Sequence, residues 1–481
     1  MKFVLCVVLL VAFLGHFAAE AYIARSSASS VGRDLPKEQW YTQRLDHFNG
    51  QETRTWKQRY FINDTFWNPS APGPIFFQMG GEGAVSGEDV VLLQMVQYGI
   101  KHGALMVTLE HRFYGTSQPL PDLSIESLRF LSSEQALADA AEFLLWLKDQ
   151  YQAPKSPIIT FGCSYPGALA AWFRLKYPHV TYASVASSAP VEATLDFFEY
   201  LDVVDQSLEY FVGDKCVANI KQATTAVSQL MASPGGRAKL QSLFNFCGPI
   251  QNELDIANFY SSLAGNWMGT VQYNDENGNP LDVIYLCKIM TQPGVDPLTA
   301  YVNISNIFLR SQDQSCLDVS YADAIAQLRD TSAAAAGVGI RQWVYQTCTE
   351  FGYFQTSDSD GQPFGDGMPL KFSLDQCRDA FGLIDPPRIN ATNHIYGGRN
   401  LPAWGPSNIL FVNGNIDPWH ALSITKSISP SLTTVFINGT AHCANVLPAH
   451  ENDPPSLVQA RKDIQAQIDQ WLAQAKRQFA Y

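Results

Sequence analysis

The feature that most constrains the fold is the alternation of short apolar runs with segments of helical periodicity. Buried-strand patterns occupy four ranges: 74–79, 104–109, 157–161 and 182–186. Between the second and the third, a capping-box pattern at Ser132 opens a segment in which Leu137, Leu144 and Leu147 recur at helical spacing. Strands that alternate with helices in this way predict a mostly parallel sheet with helices on both faces.

The alternation is interrupted in the middle of the chain. Few strand-like runs but several helical ones lie between Val191 and Gly339, which predicts an inserted helical domain. Strand-like runs return at 409–412 and 433–437, and an amphipathic helix is predicted at 457–479. The predicted organisation is a sheet domain in two parts around an inserted cap, with these ranges: 38–190, 191–339 and 340–481.

Composition narrows the classes of function. The chain has 481 residues, of which 46% are apolar and 16% charged, as expected for a large globular protein rather than a disordered one. Lysine and arginine number 32 against 45 aspartates and glutamates, so the net charge is −13. Because such a field repels phosphate backbones and anionic lipid, we expect no nucleic-acid partner.

The N-terminus has the pattern of a cleaved export signal. Lys2 precedes an apolar run over residues 3–14, and Ala19-Glu20-Ala21 is typical of a signal-peptidase site. A membrane span needs about 20 apolar residues. The run is shorter and no later segment is long enough, so we predict a signal peptide over residues 1–21 and no membrane anchor. Residues 22–37 are then a serine-rich flexible or propeptide-like lead.

Sequons and cysteines agree with export. Four N-glycosylation sequons begin at Asn63, Asn303, Asn390 and Asn438. Of nine cysteines, Cys6 lies in the predicted signal, which leaves an even number suited to an oxidising compartment.

The cysteine spacing favours disulfides over a metal site, because no C-x-x-C pair occurs. Six cysteines lie in one stretch, from Cys216 to Cys377, and we expect them to pair with one another. Sequence cannot rank their 15 pairings, of which we favour Cys348 with Cys377. Cys163 and Cys443 lie outside this stretch; they could bridge each other, but we expect two buried free thiols.

The candidate nucleophile is Ser164, in the sequence GCSYPG between a predicted strand and a predicted helix. Gly162 and Gly167 leave space for a sharp turn that lifts the serine Oγ clear of the backbone. Pro166 departs from the G-x-S-x-G pattern, although proline is tolerated in a first helical turn. An ordinary helix N-cap is the alternative interpretation of this serine.

The remaining members of a triad are sought after Ser164, because α/β-hydrolases present them in the order Ser, Asp or Glu, His. Asp417 follows the strand-like run 409–412, and His442 follows the next such run 25 residues later. His420 is too close to Asp417 to leave room for a strand, and His450 lies in a proline-rich loop. Asp417 and His442 are therefore the candidate acid and base.

Several longer motifs resemble the serine exopeptidase family of lysosomal prolyl carboxypeptidase and dipeptidyl peptidase II, and most of all its thymus-specific serine protease-like members. The motifs are EHRFYG (110–115), GCSYPGALAAWFRLKYP (162–178), ASVASSAP (183–190), WVYQTCTE (343–350) and NGNIDPW (413–419). The resemblance runs from about Trp40 to the end. It implies an α/β-hydrolase fold with a helical cap, a serine peptidase of vesicles or the extracellular space, peptide substrates and no cofactor. It is also compatible with a homodimer.

The resemblance assigns roles position by position. Ser164 matches the nucleophile, Asp417 the triad acid and His442 the base. Cys163 and Pro166 depart from many relatives and bear on the geometry of the turn. For the oxyanion we expect the backbone N–H groups of Tyr165 and of the Gly80–Gly83 loop, at Gly81, although these glycines also suit a simple turn.

The sequence gives less information about the substrate. Trp419 matches a family aromatic near the substrate, and an aromatic wall suits a proline ring, although core packing explains it equally well. Glu350 either pairs a peptide amine or is a structural carboxylate. Relatives release either a C-terminal residue after proline or an N-terminal dipeptide; we favour the carboxypeptidase direction. A lipase or esterase, and a non-catalytic binding protein of the same fold, are the rival classes.

Overall fold

The computed structural model describes residues 35–274, 280–405 and 407–479. The predicted signal peptide and most of the lead segment lie outside these residues. Within the described ranges, no helix is both long and apolar enough to cross a membrane.

An eight-stranded sheet forms the centre of the molecule, in the order β1-β2-β4-β3-β5-β6-β9-β10. All neighbouring strands from β4 to β10 are parallel, whereas β1 and β2 are antiparallel at one edge. A second, two-stranded parallel sheet joins β7 to β8. The strands are β1 Gln39–Arg44, β2 Thr55–Asn63, β3 Ile75–Met79, β4 Leu105–Leu109, β5 Ile158–Cys163, β6 Ala183–Ser187, β7 Thr194–Asp196, β8 Gly352–Phe354, β9 Ile409–Gly414 and β10 Leu432–Ile437.

Sixteen α-helices occur within the described residues. They are α1 Gln94–Ile100, α2 Ile125–Leu128, α3 Ser133–Gln150, α4 Tyr165–Lys176, α5 Glu199–Val212, α6 Asp214–Met231, α7 Pro234–Leu243, α8 Glu253–Gln272, α9 Val283–Met290, α10 Pro297–Ser311, α11 Tyr321–Leu328, α12 Ala333–Val338, α13 Ile340–Gln346, α14 Leu370–Phe381, α15 Ile389–Tyr396 and α16 Pro455–Phe479. A π-helical turn covers Thr347–Phe351, and 3₁₀ turns cover Gly398–Trp404 and Pro418–Leu422.

Successive side chains of a strand point to opposite faces of the sheet, and helices cover both faces. Phe77 of β3 belongs to the core cluster that includes Leu144 of α3, whereas the preceding Phe76 belongs to the cluster that includes Ile468 of α16. The predicted capping box is present: the Ser132 side chain accepts a hydrogen bond from the Gln135 N–H. Sheet and flanking helices therefore match the prediction of a mostly parallel, doubly covered sheet.

The chain leaves the central sheet after β6 and returns to it at β9. The segment between them carries three disulfides, Cys216–Cys287, Cys247–Cys316 and Cys348–Cys377. The last is the pair that the sequence analysis favoured. The proposed domain boundaries at 191 and 339 stay predictions.

Candidate active site

Ser164 occupies a strained turn between β5 and α4. Its backbone φ is 63°, in the left-handed region that non-glycine residues rarely adopt, and its side chain makes no capping hydrogen bond. Gly162 and Gly167 are required here, because added Cβ atoms would lie 2.0 Å from the Pro166 carbonyl oxygen and 2.3 Å from that of Ser187. The positive φ and the absent capping hydrogen bond distinguish Ser164 from an ordinary helix N-cap, and its role as nucleophile stays a prediction.

Asp417 and His442 meet at the same edge of the sheet, since each follows a parallel strand. The Asp417 Oδ1 atom lies 2.8 Å from Nδ1 of His442 and accepts a hydrogen bond from the Trp419 N–H at 3.0 Å. Both side chains are buried. The His442 N–H donates to the backbone carbonyl of Gln272 at 2.9 Å, so the end of helix α8 holds the histidine loop.

The other two histidines near the C-terminus lie elsewhere. Nδ1 of His420 is 2.7 Å from the backbone oxygen of Asp417, and its ring packs against Phe436. His450 is exposed and accepts a hydrogen bond from the Asn452 N–H. Of the three, only His442 reaches the Asp417 carboxylate.

Cys163 and Cys443 form a disulfide, so the expectation of two free thiols was wrong. The end of β5 and the histidine loop approach until the two Cα atoms are 5.8 Å apart, a normal separation for a disulfide. A ring nitrogen of His442 lies within 4.8 Å of both sulfur atoms. The disulfide thus joins the residue before Ser164 to the residue after His442.

The two loops expected to stabilise an oxyanion touch each other. Tyr165 is the first residue of α4, where a backbone N–H has no partner within the helix. A Cβ added to Gly81 would lie 2.1 Å from Cγ of Pro166, so only glycine fits against the turn at this position. Tyr165 and Gly81 stay predictions as oxyanion donors.

The Tyr165 side chain anchors the turn in a buried network that the sequence analysis did not assign. Its hydroxyl lies 3.0 Å from Nε2 of His111 and accepts a hydrogen bond from Gln346 at 3.0 Å. Tyr114 donates to the other side of the Gln346 amide at 2.7 Å. Burial lowers the pKa of His111 to about 4, which keeps the imidazole neutral at mildly acid pH. His111 and Tyr114 lie in the motif EHRFYG and Gln346 lies in WVYQTCTE, so these motifs were the sequence feature from which the network could have been predicted.

Glu350 lies in the π-helical turn and faces the N-terminus of α3. Its two oxygens accept hydrogen bonds from the Ser133 N–H at 3.1 Å, and one also accepts from the Ser133 hydroxyl at 2.8 Å. Gln346 donates to the other oxygen at 3.4 Å. Burial nevertheless raises the pKa of Glu350 to about 7.

Trp419 belongs to an aromatic cluster beside the Asp417–His442 pair. Its ring centroid lies 5.4–5.8 Å from those of three other aromatic side chains, Phe197, Tyr200 and Tyr353. Oε1 of Gln272 accepts hydrogen bonds from Trp419 Nε1 at 2.9 Å and from the Tyr200 hydroxyl at 2.5 Å. Gln272 was missed because a glutamine inside a helical stretch carries no signal in the sequence.

The four sequons differ in accessibility. Asn63 is 7% exposed and its Nδ2 donates to the Val90 carbonyl oxygen at 2.8 Å, so a glycan does not fit this conformation and the site is withdrawn. Asn303, Asn390 and Asn438 are exposed. These three stay predicted glycosylation sites.

The mostly parallel sheet, flanked by helices and interrupted by a helical insertion, defines an α/β-hydrolase. The serine on its strand–helix turn and the buried Asp–His pair lie where that fold carries its chemistry. The family model for serine carboxypeptidase S28 matches residues 43–464, so the chain belongs to that family and is a serine-type peptidase.

Relatives of the chain align over nearly its whole length. It is 40% identical to the thymus-specific serine protease of Homo sapiens over 474 residues, which cover 94% of this chain and 91% of that protein. It is 36% identical to the putative serine protease F56F10.1 of Caenorhabditis elegans, covering 94% and 87%. It is 30% identical to the lysosomal Pro-X carboxypeptidase of Homo sapiens, covering 90% and 88%.

Proposed function

We propose that the protein is a secreted or lysosomal exopeptidase that hydrolyses peptide bonds after proline through a triad of Ser164, Asp417 and His442. The observation that carries the proposal is the buried Asp417–His442 pair at 2.8 Å, on a loop joined by a disulfide to the Ser164 turn. A buried carboxylate that holds Nδ1 of an imidazole leaves Nε2 to act as the base.

The roles in the reaction follow from this arrangement. His442 accepts the proton of Ser164 as Oγ attacks the peptide carbonyl, and then donates it to the leaving amine. Asp417 fixes the tautomer and stabilises the imidazolium. The N–H groups of Tyr165 and Gly81 stabilise the oxyanion; one such donor typically contributes about 3 kcal/mol. Water then attacks the acyl-enzyme: His442 accepts a proton from the water and donates it to Oγ of Ser164 as the acyl group leaves.

Trp419 and its aromatic neighbours support a preference for proline before the cleaved bond. A flat, apolar ring packs well against an aromatic wall. The name of the lysosomal Pro-X carboxypeptidase, a relative of this chain, points in the same direction.

The surroundings of Glu350 favour the carboxypeptidase direction over release of N-terminal dipeptides. A carboxylate has about four acceptor sites. Each Glu350 oxygen already accepts two hydrogen bonds, Oε1 from the Ser133 N–H and hydroxyl and Oε2 from the Ser133 N–H and Gln346, which leaves none for a substrate amine. We therefore infer a structural role for Glu350.

An exported location is supported by the cysteines and sequons of the mature chain. All eight cysteines outside the predicted signal are paired in disulfides, which persist in oxidising compartments. Three sequons are exposed. Lysosomal delivery and secretion both fit these features.

Two substrates that report cleavage from opposite ends of a peptide test the proposal. An N-acylated Pro-Phe dipeptide reports release of the C-terminal residue, and a Lys-Pro arylamide with a free amine reports release of a dipeptide. We expect cleavage of the first and little of the second, with both activities absent in Ser164→Ala. Preferential cleavage of the arylamide would reverse the direction, and cleavage of neither by the wild type would contradict the proposed specificity.

A further inference from the structure

We propose that the Cys163–Cys443 disulfide is a positioning element of the active site, which fixes the Ser164 turn against the His442 loop during turnover. The inference rests on the proposed function, since it assigns a role to a bond between neighbours of two triad residues. It predicts that loss of this bond lowers kcat and leaves the fold and KM nearly unchanged.

The two turns that the disulfide joins are both strained. Ser164 has a φ of 63° and Cys443 a φ of 67°, and neither is glycine. A non-glycine residue in this region is strained and persists only where its surroundings over-determine its conformation. A covalent link between the two turns supplies such a constraint from both sides.

Hydrogen bonds also join each turn to the end of β6. The Ser164 N–H donates to the Ser187 carbonyl at 3.0 Å, and the Cys443 N–H donates to the Ser188 hydroxyl at 3.0 Å. Ser188 itself has a φ of 46°. Among the disulfides of the described residues, Cys163–Cys443 alone joins the two turns directly.

The His442 ring is close enough to the disulfide that loss of the bond can shift the position of the ring. One ring nitrogen lies within 4.8 Å of both sulfur atoms, and the backbone of His442 is otherwise held by the Gln272 carbonyl at 2.9 Å. Without the disulfide, the serine and histidine turns are joined only by hydrogen bonds and packing. A misplacement of about 1 Å between reacting groups lowers rates by about 100-fold.

The experiment compares two double variants that each lack one disulfide. Cys163→Ala/Cys443→Ala removes the active-site bond, and Cys247→Ala/Cys316→Ala removes a cap bond whose Cys247 is exposed. For the first we expect kcat to fall about 10- to 100-fold with KM within about twofold. The second should keep both constants near those of the wild type. Far-UV circular dichroism and peptide mapping establish that each variant is folded and that its other three disulfides are present.

A reduction experiment tests the same bond without substitution. The Cys247→Ala/Cys316→Ala variant leaves one accessible disulfide, because the cysteines of the Cys216–Cys287 and Cys348–Cys377 pairs are buried. A water-soluble phosphine converts the Cys163–Cys443 bond into two thiols, takes its oxygen from water and becomes the phosphine oxide. We expect kcat to fall on reduction and to return when oxidised glutathione re-forms the bond.

Failure of the inference differs from failure of the proposed function. A wild type without peptidase activity would overturn the function. An active wild type whose Cys163→Ala/Cys443→Ala variant keeps its kcat would overturn the positioning role alone, as would a variant in which KM rises while kcat is unchanged.

Discussion

Nδ1 of His442 lies 2.8 Å from Oδ1 of Asp417, and the two side chains are 3% and 0% exposed. A charge-assisted hydrogen bond in such a setting is shielded from water, which strengthens it. The pair also stands at the junction of three parts of the molecule. Asp417 follows β9, His442 follows β10, and the Gln272 carbonyl at the end of α8 accepts the His442 N–H.

Asp417→Asn should lower kcat by a factor on the order of 10⁴, because the amide favours the wrong imidazole tautomer. The side chain keeps its size and can still accept the Trp419 N–H, so the fold should persist. Steady-state kinetics and circular dichroism check the two expectations. Asp149→Asn, on the exposed end of α3, is the matched control. A decrease in kcat of less than tenfold for Asp417→Asn would mean that another residue is the triad acid.

Gln272→Leu should raise KM more than it lowers kcat. The substitution leaves Trp419 Nε1 and the Tyr200 hydroxyl without their acceptor, whereas the backbone contact to His442 remains. A loosened aromatic wall should raise KM about fivefold, equivalent to roughly 1 kcal/mol for a lost hydrogen bond. Gln222→Leu, exposed on α6, controls for the change of residue type. An unchanged KM would remove Trp419 from the proposed substrate wall.

Glu350→Gln should stabilise the protein relative to the wild type, and the gain should be larger at pH 8 than at pH 5. Burial raises the pKa of Glu350 from 4.5 to about 7, so its contribution to stability is full below pH 4.5 and is lost as pH rises through 7. The glutamine does not ionise and avoids this loss, which is of the order of 2 kcal/mol. Melting temperatures of wild type and variant at both pH values measure it. Glu134→Gln, an exposed neighbour, is the matched control; an equal difference at pH 5 and 8 for Glu350→Gln would refute the assignment.

Glycan mapping of the exported protein should find Asn303, Asn390 and Asn438 occupied and Asn63 bare. The first three side chains are exposed, whereas Asn63 is buried and bonded to the Val90 carbonyl. Release of N-glycans in ¹⁸O-water followed by peptide mass spectrometry marks each occupied asparagine. A glycan on Asn63 would mean that the β2 edge adopts another conformation.

The parts of the fold that were predictable have continuous apolar patterns. Strand β3 is the run IFFQM, buried on both faces, and such a run reads as a strand without knowledge of its neighbours. The edge strand β1 was not predicted, because Gln39–Arg44 is mostly exposed and polar, and its pairing with β2 supplies the order that its own sequence does not. Local pattern is therefore informative at the centre of the sheet and weak at its edge.

The site divides in the same way. The positions of Ser164, Asp417 and His442 just after strands were predictable, because each lies in a short motif at the end of a predicted strand. The Cys163–Cys443 bond was considered but two free thiols were expected, since the two cysteines are 280 residues apart and no local pattern decides between a bond and two thiols. Gln272 reaches Trp419 because the end of α8 lies beside the loop that follows β9, a contact between distant parts of the chain.

Ser164 as the nucleophile is tested by active-site labelling with a fluorophosphonate, which reacts with an activated serine hydroxyl. Intact-protein mass spectrometry should show one adduct on the wild type, and peptide mapping should place it on Ser164. Ser70→Ala, an exposed serine far along the chain from the turn, should label as the wild type does, whereas Ser164→Ala should not label. An unlabelled wild type, or equal labelling of Ser164→Ala, would contradict the assignment of Ser164 as the nucleophile.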